Sequence, residues 1–165
     1  MNISFQTIRL KNLLTAVVFI AIPLLIGGLS SFLTADTQMY YAALTKPPLS
    51  PPPVIFPIVW TILYILMGIA SYLVYRRGIS KANVRDALLF YTLSLVLNFI
   101  WPLVFFRYKM LFLAFWVLVF YWLITGITAA KFYRIKHTAG ILLLPLWLWI
   151  TYAGYLNLAT WLLNR

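Results

Sequence analysis

The chain has 165 residues, of which 64% are hydrophobic, 18% aromatic and only 9% charged. An ordinary soluble domain is about 45–50% apolar and about 25% charged, so a globule of this size could not hide so many apolar side chains from water. The composition predicts an integral membrane protein with one domain, residues 1–165. A net charge of +11 would suggest nucleic acid in a soluble chain, but here the basic residues lie between apolar runs, so no nucleic-acid partner is expected.

Five stretches free of Lys, Arg, Asp and Glu are long enough to cross a membrane, which requires about 20 mostly apolar residues. They cover residues 12–35, 54–75, 87–106, 110–132 and 138–164. Backbone in lipid must satisfy its own hydrogen bonds, so each stretch is predicted to be a helix and the fold an all-α bundle of five transmembrane helices. The first stretch follows basic residues as a secretory signal does, but it is long and ends in a poor cleavage site, so we expect it to be retained.

The connection after the first helix, residues 36–53, is rich in proline. Proline fixes φ and removes an N–H donor, which predicts a stiff extended segment and no helix over these residues. Such a loop either covers one mouth of the bundle as a lid or serves only as a spacer. Composition favours neither interpretation.

Basic residues are distributed unequally between the two predicted sides of the bundle. One side carries Arg9, Lys11, Arg76, Arg77, Lys81, Arg85, Lys131, Arg134 and Lys136, and the other carries Lys46, Arg107, Lys109 and Arg165. The positive-inside rule predicts a cytoplasmic N-terminus, with the first loop and the C-terminus outside. Short basic loops without an organelle presequence favour a bacterial cytoplasmic membrane.

The predicted spans contain no charged side chain, whereas proton relays, voltage sensors and charge-lined channels depend on them. The only histidine, His137, lies in the basic fourth connection, so neither a metal site nor a cofactor is expected. The only acids, Asp36 and Asp86, lie at helix ends far apart in the chain, which argues against conventional acid–base catalysis.

Aromatic residues and two amides remain as candidates for function. Trp161 and Trp60 lie near helix ends, where tryptophan normally marks the membrane interface, but Trp149 lies too deep for that role. Aromatic side chains inside a bundle suit flat apolar ligands, although simple helix packing would explain them equally well. Asn98 and Asn157 either hydrogen-bond across helices or hold the polar edge of a ligand.

Three motifs resemble one family. KPPLSPP from Lys46 followed by FPIVWTILYILMGIASYLV from Phe56, LNFIWPLVFF from Leu97, and PLWLWITYAGYLN from Pro145 occur in the order found in the translocator protein family. Its bacterial members are called tryptophan-rich sensory proteins and its animal members peripheral-type benzodiazepine receptors. The match extends from about residue 23 to residue 164.

The resemblance implies a five-helix bundle, usually a homodimer, with a ligand cavity beneath the first loop. It implies binding of protoporphyrin, related tetrapyrroles and other flat hydrophobic molecules. By position, Trp60 and Trp149 match the two family tryptophans that flank the ligand. The other positions on or near the cavity wall are Tyr41, Phe56, Tyr64, Asn98, Trp101, Phe105 and Ala153.

The chain also departs from the family pattern. Leu49 stands where many members have tryptophan in the proline loop, and Leu146 replaces a family tyrosine. Leu158 occupies the tyrosine position of the cholesterol-associated pattern, and the only nearby cation is Arg165. These departures argue against cholesterol as the physiological ligand.

Three functions fit these residues. The first is a membrane receptor or carrier for tetrapyrroles, and the second is an enzyme that degrades porphyrin in light, with Trp60 and Trp149 as its catalytic residues. The third is a regulatory membrane protein that acts through its helix faces. Trp60 and Trp149 are compatible with the first two, and the receptor is favoured because cavity shape alone explains both residues.

Overall fold

The computed structural model describes the backbone of residues 2–165 and the side chains of residues 10–37 and 39–165. This part of the chain is helical apart from its connections. The helices are α1 (Asn2–Leu33), α2 (Gln38–Ala43), α3 (Ile55–Tyr75), α4 (Ala82–Pro102), α5 (Leu111–Ile135), α6 (His137–Ile141) and α7 (Leu144–Leu163). A 3-10 turn, Ala35–Thr37, precedes α2, and a π-helical turn, Leu103–Arg107, follows α4.

Five segments of the described chain are long and apolar enough to cross a membrane. They are Leu10–Leu33, Ile55–Tyr75, Ala82–Arg107, Leu111–Ile135 and His137–Leu163, with mean hydropathies between 1.5 and 2.4. The predicted all-α fold with five spans is therefore confirmed. The third span begins at Ala82 rather than at residue 87, because Arg85 and Asp86 lie in the first turns of α4 and do not end it. Long charged side chains at a helix end can reach the membrane interface.

Neighbouring spans pack in the order α3, α1, α4, α5 and α7, with α1 against α3 and α4, α4 against α5, and α5 against α7. Within the described residues, α3 and α7 are not a closely packed pair. Large side chains meet between them instead, and the rings of Phe56 and Trp149 lie 6.2 Å apart. The region between α3 and α7 is thus occupied by large aromatic side chains.

A large cluster of buried side chains extends to the end of the bundle that carries the second and fourth connections. There Met67, Val74, Val84, Phe132 and Leu143 are almost completely buried in one cluster. Burial of apolar side chains and complementary packing hold this end together. At the opposite end the buried cluster is smaller and is surrounded by partly buried aromatic rings.

Helices α1 and α3 approach each other most closely at Gly68. A Cβ atom added to Gly68 would lie 2.4 Å from the Cα atom of Ile20 and 2.8 Å from the carbonyl oxygen of Phe19. Both are backbone atoms of α1, which cannot turn aside as a side chain can. Small residues at membrane helix interfaces allow this kind of backbone contact.

The prediction that residues 36–53 contain no helix is wrong for the first part of this connection. The short helix α2 occupies Gln38–Ala43. The prolines begin at Pro47, so their steric effect does not prevent a helix over Gln38–Ala43. Residues 44–54, which we call the lid loop, are not helical, and they include a turn in which the amide of Ser50 donates to the carbonyl of Pro47 at 3.3 Å.

The predicted fifth helix, residues 138–164, is interrupted rather than continuous. Helix α6 ends at Ile141, and α7 begins at Leu144 after a short turn. Pro145 lies in the first turn of α7, where its missing N–H group costs nothing. The same ring would clash with the carbonyl of Ile141 if the helix ran through, which explains the break.

We expect Gly68→Ala to destabilise the protein, since the added methyl group would force the backbones of α1 and α3 apart. Overpacking of this kind costs about 1–3 kcal/mol. The matched control is Gly28→Ala, because a Cβ atom on Gly28 meets nothing within 4 Å. Thermal unfolding in detergent would show a lower midpoint for Gly68→Ala alone. Equal midpoints for the two variants would contradict the close contact.

Candidate functional site

Aromatic rings from four parts of the chain meet beneath the lid loop. Tyr41 of α2 lies edge-on to Phe56 of α3, with 6.4 Å between ring centroids, and 6.3 Å from Phe105 in the π-helical turn. Phe56 in turn lies 6.2 Å from Trp149 of α7. We define the aromatic cluster as these four rings together with two more, that is, Tyr41, Phe56, Trp101, Phe105, Phe106 and Trp149. It brings together five of the nine residues predicted to line the site.

Trp101 ties the aromatic cluster to a buried amide. Its ring lies 5.5 Å from that of Phe105, and its indole N–H donates to Asn157 Oδ1 at 3.1 Å. Asn157 Nδ2 donates in turn to the carbonyl of Leu111 at 2.8 Å. The amide of Asn157 therefore joins α4, α5 and α7. This geometry supports the interpretation that Asn157 hydrogen-bonds across helices.

A second polar group lies deeper between the helices and consists of Tyr64, Asn98 and Tyr121, which we call the polar floor. Tyr64 donates its hydroxyl to Asn98 Oδ1 at 3.0 Å, and Asn98 Nδ2 donates to the Tyr121 hydroxyl at 3.1 Å. Trp60 stacks on Tyr64 with 5.4 Å between ring centroids. The polar floor thus joins Trp60 to buried hydrogen-bonding groups.

Gly27 of α1 allows Tyr64 to occupy this position. A Cβ atom on Gly27 would lie only 2.1 Å from the Tyr64 ring. Sequence reasoning identified neither Gly27 nor Tyr121 as relevant. Glycine and tyrosine recur along the spans, and no local pattern distinguishes these two residues from the others.

The two tryptophans that were predicted to flank a ligand lie in separate contacts. Trp60 stacks on Tyr64, whereas Trp149 contacts Phe56 and Tyr152. Among the aromatic pairs described in the structure, none joins Trp60 directly to Trp149. Ala153, the remaining predicted residue, is buried one helical turn after Trp149 and so lies on the same side of α7.

Side chains of α7 and of the residue after it hold the lid loop by hydrogen bonds to the backbone of the loop. Tyr152 donates its hydroxyl to the carbonyl of Leu49 at 2.5 Å, and Tyr155 donates to the carbonyl of Pro48 at 2.9 Å. Asn164, just after α7, accepts from the amide of Thr45 and donates to its carbonyl, both at 2.9 Å. Sequence reasoning missed these three residues, although Tyr152 and Tyr155 belong to the motif that contains Trp149.

Leu49 occupies an unusual position at the tip of the lid loop. Its φ angle of 68° is left-handed, which is uncommon for residues other than glycine, and its side chain is 81% exposed. Its carbonyl accepts the hydroxyl of Tyr152. The turn at Leu49 therefore directs the backbone of the loop, rather than the leucine side chain, towards α7.

The site contains hydroxyl, amide and aromatic groups but no charged group in its walls. Burial, together with a smaller effect of the nearby Tyr152, raises the pKa of Tyr41, so its hydroxyl stays neutral at physiological pH. No group of three or more metal-ligating side chains occurs in the part of the chain that the structure describes. Aromatic faces with a few fixed hydrogen-bonding groups are suited to holding a flat apolar molecule.

The chain is similar in sequence to one family of known proteins. A profile of the TspO/MBR family matches residues 19–162. The tryptophan-rich protein TspO of Chlorobaculum tepidum is 34% identical over 93% of this chain and 98% of its own length. A protein of the same name from Archaeoglobus fulgidus is 35% identical over 93% of this chain and 99% of its own length. The translocator protein of Homo sapiens is 34% identical over 80% of this chain and 79% of its own length.

We expect Asn164→Ala to release the start of the lid loop, because it removes both side-chain bonds to Thr45. The amide of Thr45 should then exchange its hydrogen with solvent at least about tenfold faster, since local opening governs exchange. Asn83→Ala is the control, because Asn83 is an exposed amide in the first turn of α4, at the other end of the bundle. Unchanged protection of Thr45 in Asn164→Ala would show that other contacts hold the loop.

Proposed function

The chain belongs to the TspO/MBR family, and on that premise we propose that it is a membrane receptor or carrier for tetrapyrroles such as protoporphyrin and for other flat hydrophobic ligands. The observation that carries the proposal is the aromatic cluster, in which rings from α2, α3, the π-helical turn and α7 meet beneath one loop. Aromatic pairs prefer offset or edge-on contacts, and a flat conjugated ligand offers both a face and an edge for them.

In this proposal the ligand contacts the predicted site residues, and the lid loop slows its release. The contacting residues are Tyr41, Phe56, Trp60, Tyr64, Asn98, Trp101, Phe105, Trp149 and Ala153. The polar floor holds hydrogen-bonding groups in fixed directions, which allows it to orient the polar edge of a ligand. The bonds from Tyr152 and Tyr155 to the lid loop support its role as a cover rather than a spacer.

A porphyrin-degrading activity in light is the second candidate, and one observation favours it. Trp60 stacks on Tyr64 at 5.4 Å, and Tyr64 hydrogen-bonds to Asn98. Indole gives up an electron to a photoexcited porphyrin far more readily than benzene does. In that step the Trp60 indole would lose one electron and the photoexcited porphyrin would gain it, and the face of the Tyr64 ring stacked on the indole would favour the positive charge left there.

Both the receptor and the enzyme depend on Trp149, which makes its replacement the first test. We expect Trp149→Ala to weaken protoporphyrin binding by at least about tenfold, which corresponds to about 1.4 kcal/mol. Loss of a large buried ring commonly costs about 3–5 kcal/mol, so melting curves without ligand must accompany the titration. Trp116→Ala is the matched control, because Trp116 is 46% exposed and lies outside the aromatic cluster. Equal affinities of the two variants would show that Trp149 does not contribute to the binding site.

The same titration, carried out in darkness and in light, separates receptor from enzyme. Trp60→Phe and Trp149→Phe keep an aromatic face but remove the oxidisable indole. In a receptor, the parent protein binds without bleaching the porphyrin. Protein-dependent bleaching that the Phe variants lose while they retain binding would favour the enzyme. Absence of saturable binding by the parent would favour a regulatory membrane protein instead.

We propose further that the protein is a homodimer in a bacterial cytoplasmic membrane, with its N-terminus in the cytoplasm and the lid loop outside. The unequal distribution of basic residues supports this orientation. Ion pairs join residues on the same side, with Asp36 bound to Arg107 at one end and Lys131 of α5 bound to Asp86 of α4 at 2.5 Å at the other. The lid loop and the second connection are thus at opposite ends of the bundle.

The orientation can be tested because the chain contains no native cysteine. Leu49→Cys places a thiol on the lid loop, and Ser80→Cys places one in the second connection, both at exposed positions. An impermeant maleimide applied to intact cells should label Leu49→Cys directly and Ser80→Cys only after permeabilisation. The reverse pattern would invert the topology.

A further inference from the structure

A polar pocket opens at the lid-loop end of the bundle and shares no residue with the aromatic cluster or the polar floor. Its volume is about 480 Å³, and we call it the basic pocket. The 3-10 turn, α2, the π-helical turn and the connection before α5 form its walls. The lining residues are Asp36, Thr37, Met39, Tyr40, Arg107 and Lys109. The basic pocket is therefore separate from the residues proposed to contact a flat ligand.

The basic pocket lies where three membrane spans end. The first span ends at Leu33, the third ends at Arg107, and the fourth begins at Leu111. The walls of the pocket therefore stand at the boundary between the hydrocarbon and the lipid headgroups. Two apolar side chains beside its charged groups are largely exposed, Met39 at 85% and Met110 at 52%. Such a border suits a molecule that has a charged head and apolar chains.

Two cations and one acid line the basic pocket, which leaves one positive charge in excess. Arg107 pairs with Asp36, yet a guanidinium group carries five N–H donors and keeps others for a ligand. Lys109 has no acidic partner among the described residues, because the other acid of the chain, Asp86, pairs with a lysine of α5. Burial raises the pKa of Tyr40, so its hydroxyl stays protonated and can donate a hydrogen bond.

The backbone and one aromatic ring hold Lys109 at the wall of the basic pocket. Its φ angle of 56° is left-handed, which is uncommon for residues other than glycine. The amides of its two chain neighbours donate to the carbonyls of Leu103 and Val104 at 2.9 and 3.0 Å, which fixes this conformation. Its Nζ atom lies 5.0 Å from the centroid of the Tyr40 ring, and the ring attracts the ammonium group. The charge is thus positioned before a ligand arrives.

We propose that the basic pocket binds the phosphate group of an anionic phospholipid from the membrane leaflet on the lid-loop side. The excess positive charge matches one phosphodiester, and Arg107 and Lys109 supply N–H donors to its oxygens. The acyl chains continue along the lipid-facing surface of the bundle. A zwitterionic lipid would bring an ammonium group towards these cations, so a lipid with a net negative charge is preferred. This lipid site does not depend on whether a flat ligand binds beneath the lid loop.

Native mass spectrometry of the full chain in uncharged detergent can test the proposal, with phosphatidylglycerol and phosphatidylcholine of the same acyl chains as probes. We expect the parent to bind phosphatidylglycerol more tightly. Lys109→Gln should weaken phosphatidylglycerol binding about two- to fivefold, as expected for the loss of one exposed cation near a lipid charge, and change phosphatidylcholine binding less. Lys109→Arg should keep the preference, because it retains the charge. Melting curves without lipid should be the same for all variants.

Lys46→Gln is the matched control, because Lys46 also lies over a tyrosine ring at this end, with its Nζ atom 4.9 Å from the centroid of Tyr41, but outside the basic pocket. Its phosphatidylglycerol affinity should equal that of the parent. Equal losses in the two glutamine variants would show a general effect of positive charge and overturn the proposal. An unchanged affinity in Lys109→Gln, or a parent without a lipid preference, would overturn it as well.

Glycerophosphoglycerol, the same headgroup without acyl chains, distinguishes a lipid from a soluble phosphate compound. We expect it to displace phosphatidylglycerol only at far higher concentration than the lipid itself, since it has no apolar chains to remove from water. Displacement at concentrations equal to those of the lipid would assign the basic pocket to soluble phosphate compounds, which contradicts a lipid site.

Discussion

Within hydrocarbon, a polar group without a partner inside the protein is costly, and the requirement for such partners shapes the region around the site. Asn157 meets it by accepting from the Trp101 indole and donating to the carbonyl of Leu111, so one amide fixes α4 and α7 relative to the start of α5. Asn98 does the same deeper in the bundle, between Tyr64 and Tyr121. Removal of either amide would leave buried groups without partners, which costs more than the net gain of an ordinary hydrogen bond. The two amides therefore hold the helices at the separation that the aromatic rings occupy.

The tryptophans of this chain serve different physical roles. Trp60, Trp101 and Trp149 lie around the candidate site. Trp122 and Trp147 instead stack on each other at 4.8 Å, and the indole of Trp147 donates to the backbone of α5. That pair joins α5 to α7 and provides rigidity to the helix that carries Trp149. A high tryptophan content therefore indicates a ligand site only where the rings come from several helices and meet on one side of them.

The two ends of the bundle differ in packing as well as in charge. The end with the second and fourth connections carries part of the large buried cluster and is rich in basic residues. The opposite end carries aromatic rings, few charges and a loop fastened by hydrogen bonds to α7 and its C-terminus. Hydrogen bonds to a loop break more easily than a packed core opens, so motion that admits a ligand is expected at this end.

Hydropathy and charge along the chain determined the membrane location, the five spans, the neutral interior and, through three motifs, the family. These properties depend on the residues of one segment at a time, so they can be predicted from a single sequence. Which residues meet was decided only by tertiary packing: Gly68 against the α1 backbone, Gly27 beneath Tyr64, and Tyr121 on Asn98. The same holds for α2, and for the break before α7, where Pro145 ends one helix and starts the next. Apolar residues occur on every side of a membrane helix, so composition alone does not separate the face towards lipid from the face towards another helix, and only the packed structure makes that distinction.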